Sequence, residues 1–174
     1  MPRQIQFSLA PSLRPRSQHG GLSAKGRRKL ARPLATRRPL HVIFKSLRAR
    51  GEWSLLRRPN AKVVASTLAA AASRFHVRIL ESANVGNHLH LVIQGKTRIG
   101  IQNFLRTVSA QIATRISDAR KGNPKGKFWD SLVFSRVLAW GRDVKQVRAY
   151  VYDNHLEGAG LWYFMRKHGG SPPE

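Results

Sequence analysis

The most informative segment of the chain reads Asn84-Val85-Gly86-Asn87-His88-Leu89-His90-Leu91-Val92-Ile93. From His88 onward histidine and leucine alternate, and in a strand side chains repeat every two residues. The alternation places His88 and His90 on one face and three aliphatic side chains on the other, where they can join a core. Imidazole nitrogens are good ligands for divalent metals, so the two histidines form a candidate half of a metal site. Two histidines at this spacing can also simply satisfy local hydrogen bonds, and the spacing alone does not choose between these roles.

The segments on either side predict an α+β fold with a single core. The turn at 84–87 joins the histidine strand to the preceding strand in a hairpin. Apolar residues at spacings of three and four predict an amphipathic helix over 99–117. The order of the elements contains the β-α-β-β-α-β run of ferredoxin-like domains, with an additional C-terminal helix that carries Tyr150. The predicted strands are 40–47, 75–82, 88–93 and 132–140, and the predicted helices are 61–74, 99–117 and 143–157.

The charge of the chain indicates a polyanionic partner. Lysine and arginine number 32 against 8 aspartate and glutamate residues, for a formal net charge of +24. A phosphate backbone would relieve this self-repulsion and release its counterions on binding. An anionic membrane surface is the alternative, but the sequence has no long basic amphipathic helix with a bulky apolar face. The composition therefore favours a nucleic-acid-binding protein over an enzyme of small neutral substrates.

Other classes of protein are excluded by what the sequence lacks. It contains no cysteine, which excludes disulfides, thiolate zinc sites and a cysteine nucleophile. No apolar run approaches the length of about 18–20 residues that spans a bilayer. The N-terminus has no secretory-signal pattern. We therefore expect a cytoplasmic protein with no membrane partner.

The distribution of charge divides the chain into three predicted parts. Residues 1–38 are basic and rich in proline, serine and glycine, and we predict that they form a largely disordered tail. The folded domain is expected over 39–165, followed by a C-terminal tail over 166–174. Basic side chains in the first tail and on the folded domain are candidates for contacts with a DNA backbone, although those of the tail could serve solubility alone. These candidates are Arg27, Arg28, Lys29, Arg106, Arg115, Lys121, Lys125 and Lys127.

A tyrosine and an asparagine on the last predicted helix complete a candidate constellation. Tyr150 and Asn154 are four residues apart and so lie one turn apart on the same helical face. A phenol can attack phosphorus and form a phosphotyrosine link, and two histidines with a neutral amide would leave metal positions open for phosphate and water. Taken alone, Tyr150 fits a packing aromatic better, and Tyr152 lies on another face. His41, at the start of the first strand, is predicted to be a strand-end residue rather than a ligand.

The two motifs together resemble those of single-tyrosine transposases with the His-hydrophobe-His (HUH) motif. Asn87-His88-Leu89-His90-Leu91-Val92-Ile93 is similar to the family's Asn-His-Val-His-Leu stretch and its following aliphatics. Residues 150–160 resemble the tyrosine helix of the branch associated with REP palindromes, which often reads Tyr-Ile-x-x-Asn-Pro-x-x-Ala-Gly. The resemblance covers residues 39–161. Three residues depart from it: Val85-Gly86 stands where the family has Met-Pro, and His155 stands where it has the proline after the asparagine.

This resemblance implies a metal-dependent transposase that acts on single-stranded or hairpin DNA. By it, His88, His90 and Asn154 would be the metal ligands, Mg²⁺ or Mn²⁺ the cofactor, and Tyr150 the nucleophile. The family cleaves DNA with formation of a 5′-phosphotyrosine and a free 3′-OH, and reverses this step to rejoin strands in DNA transposition and recombination. A homodimer is compatible with the resemblance, since family members place the tyrosine against the histidines of either subunit.

Two other functions stay open at the level of the residues. One is a non-catalytic DNA- or RNA-binding protein on the same fold, which would need no metal. The other is a metal-dependent nuclease that uses water, with Tyr150 structural. Such a nuclease would release its product without a protein-linked strand, so the two enzymes are distinguishable on a denaturing gel.

Overall fold

The structure is a computed structural model that describes residues 17–21 and 31–158 of the chain. Within these residues it contains a five-stranded sheet, three α-helices and a short 3₁₀ helix over Gly51–Trp53. No helix in these ranges is both long and apolar enough to cross a lipid bilayer. The strands are β1 (Gln18–His19), β2 (Leu40–Lys45), β3 (Val77–Asn84), β4 (His88–Gly95) and β5 (Phe134–Val137), and the helices are α1 (Arg58–Arg74), α2 (Arg98–Ser117) and α3 (Arg142–Gly158).

The sheet has the strand order β1-β5-β2-β4-β3, and all of its ladders are antiparallel. Without the short edge strand β1, this is the arrangement of a ferredoxin-like β-α-β-β-α-β domain. The predicted α+β fold is therefore confirmed, with α3 as the additional C-terminal helix. The histidine strand β4 lies in the interior of the sheet, in a register that pairs Ile43 of β2 with His90 and Lys45 with His88.

The two faces of the sheet are covered by different helices. On one face α1 and α2 enclose the larger core, in which Leu89, Leu91 and Ile93 are at most 1 % exposed. On the other face α3 packs on β3 and β4, with Val92 in a second, smaller apolar cluster. The alternation predicted along β4 is therefore present, and it directs the histidines to the face that α3 covers.

A tight turn after β5 sends α3 across the sheet. Strand β5 is shorter than the predicted strand at 132–140, because the chain leaves the sheet after Val137 and turns at Gly141, whose φ of +90° suits glycine. Asp143 ties this turn to the sheet: its carboxylate accepts a hydrogen bond from the Ala139 amide at 3.0 Å and pairs with Arg136 of β5. These two contacts fix the point at which helix α3 begins.

Part of the segment predicted to be a basic tail is folded. Gln18–His19 pairs with β5, and Leu34 is 6 % exposed in the larger core. The Leu34 carbonyl accepts a hydrogen bond from Arg98 at 2.7 Å. The predicted tail over 1–38 therefore does not hold for these residues, because a two-residue strand and one isolated apolar side chain leave no periodic signal. Arg27, Arg28, Lys29 and residues 159–174 lie outside the described residues.

Candidate active site

Strand β4 brings the two motif histidines together on the face that α3 covers. Their ring centroids lie 4.7 Å apart, with the ring planes at 71°. His88 is half-buried, and its Nδ1 lies 2.5 Å from Oδ1 of Asn87. Since a carboxamide oxygen only accepts hydrogen bonds, Nδ1 of His88 donates in this contact. Its Nε2 then carries the lone pair that a metal would use.

His90 is the more buried of the pair, at 2 % exposure. Burial, together with the neighbouring His88 and His41, lowers the pKa of His90 to about 2. The ring is therefore neutral near pH 7. Its Nε2 is buried and has no hydrogen-bond partner among the described residues, a situation that costs about 1–3 kcal/mol. A neutral imidazole with an unsatisfied buried nitrogen is the type of donor that a divalent transition metal binds.

Helix α3 places Tyr150 against His90. The Tyr150 ring lies 5.4 Å from the His90 ring, centroid to centroid, and meets it edge-on at 80°. Tyr150 is half-buried and also packs on the smaller apolar cluster. Tyr152, two residues further on, is 55 % exposed. Of the two tyrosines described, Tyr150 is therefore the one whose phenol is next to the histidines.

Asn154 lies one turn beyond Tyr150 and is 7 % exposed. Its Nδ2 donates to the Tyr150 carbonyl at 2.6 Å, so Oδ1 is the atom that it could offer to a metal. Within residues 17–21 and 31–158, no group of three or more His, Cys, Asp or Glu side chains could hold a metal ion. A site with two histidines would therefore need a third donor of another type, such as the Asn154 amide oxygen.

A third histidine, which the sequence reading assigned to a strand end, belongs to the site. His41 of β2 is 7 % exposed, and its Nε2 lies 3.4 Å from Nδ1 of His90. The two rings are nearly parallel, at 16°, and the His41 ring also meets Tyr150 edge-on at a centroid distance of 6.2 Å. The alternation of β2 could have placed His41 on the face opposite the core, but only the register between β2 and β4 brings it to His90.

The predicted DNA-contacting residues within 31–158 fall into two groups. Lys125 and Lys127 lie in the loop before β5, where their carbonyls accept hydrogen bonds from Arg48 at 2.5 and 3.1 Å. This loop, which also contains Lys121, borders the end of β4 that carries His88, since the Asp130 amide donates to the Lys45 carbonyl at 3.0 Å. Lys45 is exposed and pairs directly with His88, a neighbour that the sequence reading missed.

Arg106 and Arg115 form the second group and lie on α2, across the sheet from the histidines. Both are exposed, and Arg115 donates to Thr67 of α1 at 3.4 Å. The structure therefore does not bring them to the candidate site. Any contact that they make with DNA is with a part that passes over the other face of the sheet.

Gly158 lets the end of α3 approach the turn before the histidine strand. A Cβ atom at this position would lie 2.2 Å from the backbone oxygen of Asn84. Alanine favours helices by about 1 kcal/mol over glycine, yet Gly158→Ala should displace α3 because backbone atoms cannot yield. Since a misplacement of about 1 Å can cost 10²-fold in rate, we expect any reaction that uses Tyr150 and His90 together to slow by about 10–100-fold. The rate of protein–DNA adduct formation measures this.

The matched control for this prediction is Ala149→Gly, at an exposed position of the same helix. It lowers helix propensity by about 1 kcal/mol without touching the turn. If Gly158→Ala leaves the rate unchanged, or if Ala149→Gly lowers it equally, the close approach to Asn84 does not position the helix.

The buried histidines should make the stability of the metal-free protein depend on pH. Burial and the charge of Arg136 lower the pKa of His41 to about 4, against an opposing effect of Asp143, and the pKa of His90 is lowered as well. As the pH falls, the two histidines therefore become protonated in the unfolded chain before they do so in the folded chain. Their contribution to the free energy of unfolding is complete above a pH of about 6.5 and is lost as the pH falls toward their pKa values in the folded chain. Each histidine should contribute a loss of up to about 1.4 kcal/mol per pH unit between pH 6 and 4.5.

Urea denaturation at constant ionic strength tests this dependence. The slope of unfolding free energy against pH should become smaller in His41→Phe, which removes one of the two groups. Equal slopes in the native chain and in His41→Phe would contradict the neutral, buried state of His41.

A protein-family profile matches the part of the chain that contains the candidate site. The profile of the family described as "Transposase IS200 like" matches residues 39–154, a range that contains the three histidines, Tyr150 and Asn154. No curated protein sequence matches the chain significantly.

Several solved structures are similar to this chain, among them the following two. One is a REP-associated tyrosine transposase bound to a REP hairpin, with a TM-score of 0.60 and 12 % sequence identity over 83 % of this chain and 88 % of that one. The other is a protein of Deinococcus radiodurans proposed to be a transposase, with a TM-score of 0.44 and 17 % identity over 74 % and 98 % of the two chains. At 12 % identity, the similarity to the REP-associated tyrosine transposase shows a shared fold.

Proposed function

The chain belongs to the family of IS200-like transposases, and we propose that it is a metal-dependent enzyme that cleaves and rejoins single-stranded DNA through Tyr150. The observation that carries the proposal is the edge-on contact of Tyr150 with His90, whose buried Nε2 lacks a partner among the described residues. The ring of the proposed nucleophile thus lies beside an imidazole whose Nε2 can bind a Lewis acid. In the proposed arrangement Tyr150 acts beside the histidines of its own chain.

The proposed reaction starts with attack of the Tyr150 phenol oxygen on a backbone phosphorus. The new Tyr150 O–P bond forms as the P–O3′ bond breaks, the phenol proton leaves to solvent, and the departing strand takes up a proton as a free 3′-OH. His88, His90 and Asn154 would hold Mg²⁺ or Mn²⁺, which supplies polarisation of the phosphate when bound. Because the 5′-phosphotyrosine keeps the energy of the phosphodiester, a 3′-OH can reverse the step and rejoin strands.

The residues of this chain have separate tasks in that step. The packing of Tyr150 on the smaller apolar cluster and on the His90 ring restricts the phenol to one region, which lowers the entropy cost of attack. Lys45 beside His88, with the basic loop at 120–127, gives the His88 end of the site a positive surface suited to the phosphates on either side of the cleaved bond. The net charge of +24 supports binding to DNA that does not depend on the base sequence.

The substrate that we propose is single-stranded DNA next to a hairpin. The protein with the similar fold is bound to a REP hairpin, and the charge of this chain suits both the duplex and the single strand of such a substrate. The site itself suits single strands, because a backbone phosphorus must reach a half-buried phenol on the sheet.

The proposal is tested by incubating the full-length protein with end-labelled hairpin DNAs that carry single-stranded flanks, in the presence of Mn²⁺. We expect an SDS-resistant, slowly migrating band that contains protein and labelled strand. Cleavage without this band would instead indicate a nuclease that uses water. Tight binding without cleavage on a broad panel of hairpins would indicate a non-catalytic DNA-binding protein.

A further inference from the structure

We infer that His41 is a positioning residue: its Nε2 accepts a hydrogen bond from Nδ1 of His90 and thereby keeps Nε2 of His90 unprotonated toward the site. This inference rests on the proposed function in one respect, since it takes Nε2 of His90 as the atom that binds metal. It assigns a role to a side chain that lies outside the two motifs and on a different strand.

The position of His41 is determined by neighbours on three sides. Across the sheet it pairs with Val92 of β4 and Arg136 of β5, and diagonally it faces His90 on the same side of the sheet. The distance of 3.4 Å from Nδ1 of His90 to Nε2 of His41 is long for a hydrogen bond, but both rings are buried and in contact. Tyr150 covers the ring edge-on from α3. These contacts restrict the orientation of the His41 ring.

One proton lies between the two imidazoles, and its location decides what His90 can do. With the proton on Nδ1 of His90, Nε2 of the same ring has a lone pair and can bind a cation. With the proton on Nε2 of His41, His90 must carry its own proton on Nε2, where it would be a buried donor without an acceptor among the described residues. Either arrangement leaves Nε2 of His90 without a partner among the described residues, but only in the first can a bound cation take up that atom, so the first is the arrangement that a metal site needs.

Packing alone would not give His41 this effect. A side chain that only fills space could be any apolar group of similar size, whereas the inference needs an acceptor atom at the place of Nε2. Two substitutions separate these cases. In His41→Phe the ring and its contacts are kept and the acceptor is lost; in His41→Gln the amide oxygen can take the place of Nε2 as the acceptor.

The first measurement is Mn²⁺ binding to the full-length protein without DNA, followed by the magnetic resonance signal of the free ion. Removing the partner that orients a ligating histidine typically costs 10–100-fold in metal affinity, so we expect His41→Phe to weaken binding by about 10–100-fold and His41→Gln by no more than about 3-fold. Equal affinities of native protein and His41→Phe would overturn the inference. So would Mn²⁺ binding by the native protein that His90→Gln leaves unchanged.

The second measurement needs neither metal nor DNA. In protein labelled with ¹⁵N-histidine, long-range proton–nitrogen correlations show which ring nitrogen carries the proton. We expect native His90 to be protonated on Nδ1, to remain so in His41→Gln, and to shift toward the Nε2-protonated form in His41→Phe. The same tautomer in native protein and His41→Phe would overturn the inference. Because neither readout depends on cleavage, a protein that passes both tests and forms no DNA adduct refutes the proposed function alone.

Discussion

Tyr150→Phe will abolish the covalent protein–DNA complex and leave the affinity for hairpin DNA within about 3-fold of the native value. The substitution removes one hydroxyl and keeps the ring that packs edge-on against His90 and His41, so the shape of the site is preserved. Removing the nucleophile of a covalent mechanism typically costs 10³-fold or more in rate, and we expect at least about 10³-fold here. Denaturing gels measure the adduct, and filter binding or anisotropy measures the affinity.

The matched control is Tyr152→Phe on the same helix. Tyr152 is 55 % exposed, so this change should leave adduct formation within about 2-fold, as surface substitutions usually do. An adduct that survives in Tyr150→Phe would refute the role of Tyr150 as nucleophile. An adduct lost equally in both variants would show that a phenol outside the proposed site is needed.

Replacing His88 and His90 together by alanine will remove the Mn²⁺-dependent cleavage of DNA and keep salt-sensitive DNA binding. Both rings contribute a nitrogen to the candidate metal site, and a metal that polarises phosphate is worth several kcal/mol, so the loss should be at least about 10³-fold. The affinity for DNA comes from phosphate contacts of a chain with a net charge of +24, and these contacts do not involve the two histidine rings. Cleavage across a Mn²⁺ titration and affinity across a salt series measure the two effects.

The burial of His90 calls for a check on folding, because a side chain at 2 % exposure leaves a cavity when it is truncated. His88→Ala alone is the milder variant, since His88 is only half-buried, and it should lower the apparent affinity for Mn²⁺ without a large change in melting temperature. His155→Ala is the control, because His155 is exposed on α3 next to Asn154. Cleavage with an unchanged Mn²⁺ response in the double variant would exclude the two histidines as ligands.

Local periodicity in the sequence was sufficient to predict the two motifs and the fold class of this protein. The alternation of histidine and leucine in β4 follows from the two-residue repeat of a strand, and the one-turn separation of Tyr150 and Asn154 follows from the helical repeat. Both are properties of consecutive residues, so they can be read without knowing what packs against them. The element order and the ferredoxin-like class follow in the same way, as does the preference for a polyanion, which depends only on summed charge.

Which distant residues share the site depends on tertiary contacts. His41 reaches His90, and Lys45 reaches His88, through the pairing register of β2 with β4, and a shift of one residue would have moved either side chain to the other face. Gly158 meets Asn84, and Arg106 and Arg115 lie across the sheet, because of how the helices are distributed over its two faces. These arrangements are set by the burial of apolar surface across the whole domain, which no short stretch of sequence encodes.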